Sequence, residues 1–334
     1  MAGESVDPSA RAPLALLYDA TFLDHYSWGH PESPERLRAI TAAMGREPRI
    51  RSEWWRSSPP ADEADLALVH KEQHIRSVQQ FAGQGGGWLD SDTYCNPGSY
   101  EIALQAAGAA KAAVQLACSA SATPAFALVR PPGHHATPDR AMGFCLFNNA
   151  AIAVRHAQRR LGVERVAILD LDVHHGNGSQ DAFWRDGDVL YCSLHQSRLY
   201  PGTGLRQERG EGAGFEKTLN LPLAPSTGNG PWLEALEQVA LPAVVDHSPQ
   251  LIVVSCGFDA LATDPLANLD LDWRAYATAM ERVGQVAADC CPGRVAVILE
   301  GGYDLGQMPL AATACALAMA GLDSQPGVAV TGPA

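Results

Sequence analysis

The stretch RVAILDLDVHHGNG, residues 165–178, decides how this chain is read. It begins as an apolar, β-branched run. It then places two carboxylates and two histidines within six positions, with glycines close behind. An apolar run of this kind reads as a strand covered on both faces, as in a parallel sheet. Asp170, Asp172 and His174 are spaced by two. In a persisting strand they share one face, with Leu171 and Val173 opposite. Neighbouring carboxylates at a low-dielectric strand end need something to neutralise them. A divalent cation is one answer, and a capped strand end with ordinary turn hydrogen bonds is the other.

Similar runs recur on either side: LALLYD (14–19), FALVRP (126–131), DVLYCSLH (188–195), QLIVVSCGFD (250–259) and RVAVILEGG (294–302). Ala-rich helical patterns lie between them at 99–118, 148–162 and 231–247, and Ser33-Pro34-Glu35 reads as a helix start. The alternation predicts an α/β fold: an open, mostly parallel, doubly wound sheet with helices on both faces and long loops at the carboxyl rim. The Gly-rich, polar segment 196–230 is too long for an ordinary connection and reads as a functional loop. No linker or repeat interrupts the pattern. We expect one domain over 1–334, with flexible ends at 1–13 and 323–334.

The chain has 334 residues, 24 Lys and Arg, 37 Asp and Glu, and a formal charge of −13. That balance speaks against holding nucleic acid through phosphate contacts. Eight scattered cysteines form no CxxC and sit mostly in apolar runs, which suits buried thiols in a reducing compartment. No signal peptide is legible, and no apolar stretch reaches the roughly 20 residues a membrane span needs. The expectation is a cytoplasmic protein without a membrane partner. Oligomeric state stays open, homo-oligomers included.

In open α/β sheets ligands sit beyond the carboxyl ends of the strands. Four segments bring polar residues there: RPPGHH, DLDVHHGNG, GFDA and EGGYD. Asp172 and His174 can grip a metal from one strand end, and Asp259 can complete the set. Two carboxylates and a neutral imidazole balance a 2+ charge and leave a coordination position open. His134 and His135, presented from a Pro-Pro-Gly loop, suit proton transfer. Asp170 is then free to orient His134. Tyr303, past two glycines, can donate to a developing oxyanion.

Together the stretches RPPGHHA (130–136), GFCLFNNAAIA (143–153), ILDLDVHHGNGSQDAF (168–183), YPGTG (200–204), GFDALATDPL (257–266) and LEGGYDL (299–305) resemble the histone deacetylase family, including its bacterial-type and acetylpolyamine amidohydrolase members. The resemblance spans about residues 15 to 320 and implies the arginase/deacetylase fold. It implies zinc on Asp172, His174 and Asp259, a catalytic pair in His134 and His135, and a carbonyl-polarising Tyr303. It places Asn177 at the second histidine-orienting position, where class II members carry Asn. Gly143, Phe144, Tyr200 and Leu266 fall on the substrate tunnel and Asp92 on its rim. Structural potassium is implied at Asp170, Asp172, His174, Ser193 and Leu194, and at Phe183, Asp186 and Val189.

The expected activity is zinc-dependent, hydroxamate-sensitive hydrolysis of an acetylated amine, with acetyl-lysine in a protein or small molecule as substrate. Acetylpolyamine is the alternative. The gatekeeper position falls on Leu266, which offers a second ammonium nothing. Fe²⁺ is the alternative ion, because an Asp₂His site is rich in oxygen donors. Two other classes fit the residues less well. A two-manganese ureohydrolase needs a second set of Asp ligands, and GFDALATDP adds only Asp264. A non-enzymatic acyl-lysine binding protein is expected to have lost a ligand or Tyr303, and neither is lost.

Overall fold

The computed structural model describes residues 13–327. Among the described residues there are ten strands: β1 Ala15–Leu17, β2 Trp55–Arg56, β3 Gly87–Trp88, β4 Tyr94–Cys95, β5 Ala125–Ala127, β6 Val166–Asp170, β7 Val189–Gln196, β8 Thr218–Leu223, β9 Leu251–Cys256 and β10 Val295–Leu299. The α-helices are α1 Pro34–Arg46, α2 Glu63–Leu66, α3 Glu72–Gly83, α4 Ser99–Ala117, α5 Asn149–Arg160, α6 Asn177–Phe183, α7 Asn229–Ala235, α8 Leu241–His247, α9 Trp273–Cys290 and α10 Met308–Met319.

Eight strands form one sheet in the order β2-β1-β5-β10-β9-β6-β7-β8. Every pairing in it is parallel. β6, β7, β9 and β10 are buried at every position, which is why their sequences run apolar without alternation. α4 packs over β1, β5, β9 and β10 and against α5, while α1 and α9 both pack on α10 as a second group. β3 and β4 form a separate antiparallel hairpin.

All six strand expectations correspond to strands, but segment 196–230 is not wholly loop. Its residues 218–223 form β8, the sheet's edge, paired with β7. One expected helix, 231–247, is α7 and α8 joined by the π-helical stretch Leu236–Ala240. Ser33 does sit at the N-cap of α1, but its side chain makes no capping hydrogen bond there. At the C-terminal end, Arg49 donates to the carbonyls of Asp323 and Gln325, and Gly327 N–H donates to Glu47. Residues 1–12 and 328–334 of the expected flexible ends lie outside the described residues.

β5, β10, β9 and β6 are adjacent in the sheet. The four polar segments follow these four strands at their carboxyl ends. The strand order, not sequence proximity, is what brings them together.

Candidate active site

β6 ends at Asp170, so the one-face geometry expected through His174 does not persist. The chain bends instead, and the three residues take separate positions. Asp172 accepts from the N–H groups of His174 at 2.9 Å and Gly301 at 2.8 Å. Asp259, from the loop after β9, accepts from Val173 N–H at 2.9 Å. His174 Nδ1 lies 3.2 Å from Asp172 Oδ1 and 3.2 Å from Asp259 Oδ2. The potential donor atoms of Asp172, His174 and Asp259 all fall within 4.8 Å of one another.

This trio fits a divalent cation. Asp172 and Asp259 are 1% and 0% exposed. Burial opposes charge on His174, yet the two carboxylates push its pKa up to about 10. That is the mark of a carboxylate pair seeking positive charge. Gly301 makes the convergence possible: a Cβ there would collide with the Asp259 carboxylate and crowd that of Asp172.

His134 and His135 stand beside the trio with ring centroids 4.1 Å apart. Their partners differ. His134 Nδ1 meets Asp170 Oδ2 at 3.1 Å, and His135 Nδ1 meets Asn177 Oδ1 at 2.8 Å. Both carboxyl and carboxamide oxygens accept, so each Nδ1 carries the hydrogen; both rings line the cavity, and His134 Nε2 lies 3.7 Å from Asp172 Oδ1. Burial works against charge on His134, but the Asp170 and Asp172 carboxylates outweigh it and hold its pKa well above the usual imidazole value. For His135, burial together with the neighbouring His134 and His174 drives it well below. The adjacent rings are thus tuned in opposite directions.

Above them lies a cavity of about 210 Å³, lined by Asp92, Gly143, Phe144, Tyr200, Leu266 and Tyr303 along with His134, His135 and His174. Each tunnel residue expected from the sequence is therefore on the cavity wall. Gly143 has φ +56°, and a Cβ there would strike the His135 ring and the Tyr200 ring. Phe144 meets Tyr303 edge-on at 5.8 Å, and Tyr200 meets His135 edge-on at 5.1 Å. The Arg36 guanidinium lies 5.0 Å over the Tyr303 ring.

The expected potassium residues fall in two places. Asp170 and Ser193 are register partners in β6 and β7, with Leu194 next in β7. Phe183 ends α6 and Val189 starts β7, while the Asp186 carboxylate is paired with Arg155.

Three contributors were not singled out from the sequence. Tyr191 donates its hydroxyl to Asp170 Oδ2 at 2.9 Å. Glu300 accepts from Gly133 N–H at 2.7 Å and His134 N–H at 3.0 Å, pinning the histidine loop. Leu199 adds to the cavity wall. Glu300 had a readable signal, because VAVILE ends an apolar strand on an acid just as RVAILD does. Tyr191 had none, since a Tyr inside a strand is usually packing.

A histone deacetylase domain profile matches residues 30–319. The chain is 42% identical over 300 residues to the histone deacetylase-like amidohydrolase of Pseudomonas aeruginosa, covering 89% of this chain and 78% of that protein. It is 40% identical over 294 residues to a probable deacetylase of Methanothermobacter thermautotrophicus, covering 87% and 86%. The crystal structure of the HDA15 HD domain superposes with a TM-score of 0.87 at 36% identity, covering 94% of this chain and 90% of that one.

Proposed function

The chain belongs to the histone deacetylase family, and from that premise we propose that it is a zinc-dependent deacetylase hydrolysing N-acetyl-lysine. The observation that carries the reading is the convergence of Asp172, His174 and Asp259 next to two histidines whose Nε2 atoms are left for chemistry. The three converging residues would hold the ion. When bound, it supplies Lewis-acid polarisation of the amide carbonyl and activation of water.

The protein's own groups do the rest. His135, kept neutral with its hydrogen on Nδ1, takes the proton of the attacking water at Nε2. The Tyr303 hydroxyl donates to the carbonyl oxygen as negative charge develops on it. His134, kept cationic by Asp170, adds positive charge beside the reaction and a proton source for the departing amine. Phe144, Tyr200 and Leu266 enclose the acyl-lysine stem, and Asp92 meets the substrate's polar part at the rim.

Leu266 on the cavity wall favours acetyl-lysine over an acetylpolyamine, because an apolar side chain gives a second ammonium no partner. Side-by-side kcat/KM values for an acetyl-lysine peptide and acetylputrescine, with chelator and hydroxamate controls, test this. The peptide should be the better substrate, and a marked preference for acetylputrescine would reverse the assignment. The oxygen-rich donor set also suits Fe²⁺, which metal analysis of protein purified without added zinc would reveal. Structural potassium at the two expected places is tested by whether KCl raises Tm more than NaCl at equal ionic strength. Eight unpaired cysteines suit a reducing, cytoplasmic setting. Among the described residues no helix is long and apolar enough to cross a membrane.

A further inference from the structure

The loops after β9 and β10 run side by side. Phe258 N–H donates to Gly301 O at 3.0 Å, and further along Thr263 Oγ1 donates to the Asp304 carboxylate. Directly after Thr263 comes Asp264, 6% exposed. Its Oδ2 accepts from Tyr303 N–H at 2.7 Å and its Oδ1 from Leu266 N–H at 2.9 Å. The two oxygens of one side chain hold the backbone of the carbonyl-polarising residue and the backbone of a tunnel-wall residue.

The arrangement requires a carboxylate. Two N–H donors converge on it from different loops, so a carboxamide would satisfy one and oppose the other with its own NH₂. Among the described residues no Lys, Arg or His forms an ion pair with it. A buried acid in that situation is costly unless its hydrogen bonds matter. Tyr303 also needs an anchor, because it follows two glycines and Gly302 sits at φ +111°. Arg36 supplies a hold on one side by binding the carbonyls of Glu300 and Gly302. Asp264 supplies the hold on the other.

We propose that Asp264 is a positioning residue that couples the Leu266 wall of the tunnel to the Tyr303 hydroxyl, so that seating the acyl-amine stem and polarising its carbonyl are linked. This inference rests on the proposed role of Tyr303.

The test is steady-state kinetics of Asp264→Asn and Asp264→Glu, each alone and combined with Tyr303→Phe, with metal content and Tm measured for every variant. Misplacing a catalytic group by about 1 Å costs on the order of 100-fold. Asp264→Asn should therefore lower kcat by about 10–100-fold, with KM moving less than about threefold and metal content unchanged. In the Tyr303→Phe background the same change should cost less than about twofold, because the hydroxyl it positions is already gone. Equal losses in both backgrounds, or full activity of Asp264→Asn, would overturn the proposal. Should Asp264→Asn not fold, Asp264→Glu keeps both acceptors but displaces them by one methylene. It should lower kcat severalfold at constant KM, and a wild-type kcat would overturn the proposal equally. Full activity of Tyr303→Phe alone would sink the tyrosine's assigned role directly, a failure distinct from that of Asp264.

Discussion

His135 Nδ1 lies 2.8 Å from Asn177 Oδ1, a neutral carboxamide, whereas the neighbouring His134 Nδ1 has the Asp170 carboxylate. On the proposed mechanism, this difference gives the two adjacent imidazoles separate roles. A neutral partner leaves His135 with the low pKa that burial and the cationic His134 beside it impose. A base must be unprotonated to work. Asn177→Asp would stabilise the imidazolium, so the acid limb of kcat/KM should move up by about one pH unit. A pH-rate profile checks this, and an unmoved or downward-shifted limb counts against His135 as the base.

Tyr303→Phe should lower kcat by about 10²–10³-fold with little change in KM or metal content, the cost of one oxyanion donor. Stopped assays on the metal-loaded variant read the effect. Turnover at the wild-type rate would remove Tyr303 from the chemistry.

Gly301 donates its N–H to Asp172 and leaves no room for a side chain beside Asp259. Gly301→Ala should weaken metal affinity and abolish most activity while the sheet stays folded. Metal titration alongside circular dichroism separates the two effects. Metal affinity equal to wild type would show that the carboxylates do not need this gap.

Much of the fold and of the site is legible in the sequence. Apolar strands without alternation announced a covered parallel sheet. An acid at the end of such a strand, as at Asp170, announced a site at the rim. Other features were hidden for physical reasons. β8 reads TLNLPL, a short alternating run, but it carries Pro222 and lies at the sheet's edge inside a Gly-rich polar segment, and both features read as loop. The bend after Asp170 depends on hydrogen bonds from Val173 to Asp259 and from Gly301 to Asp172, which come from distant parts of the chain. The Asp264 clamp likewise joins backbone groups about 40 positions apart. Spacing along one strand cannot encode such contacts.

The C-terminal end offers a stability test away from the site. The Arg49 hydrogen bond holds the Glu47 carboxyl down at about 2, with help from the N–H groups of Gly327 and Arg49. A depressed folded pKa stabilises above the unfolded value and is lost as pH falls from about 4.5 towards 2. Glu47→Gln should cost about 1.5–3 kcal/mol near neutrality and flatten the fall of stability with acid in that window. Denaturant unfolding at several pH values measures both. An unchanged pH slope would mean the clamp does not hold in solution.

On the proposed reading, side chains from two distant stretches of the chain form one metal site. Zinc titration of metal-free protein by calorimetry tests it most directly. One tight site per chain is expected, lost in Asp259→Ala and in Asp172→Ala while the fold is kept. Tight binding that survives both substitutions, or two equivalent ions per chain, would contradict it.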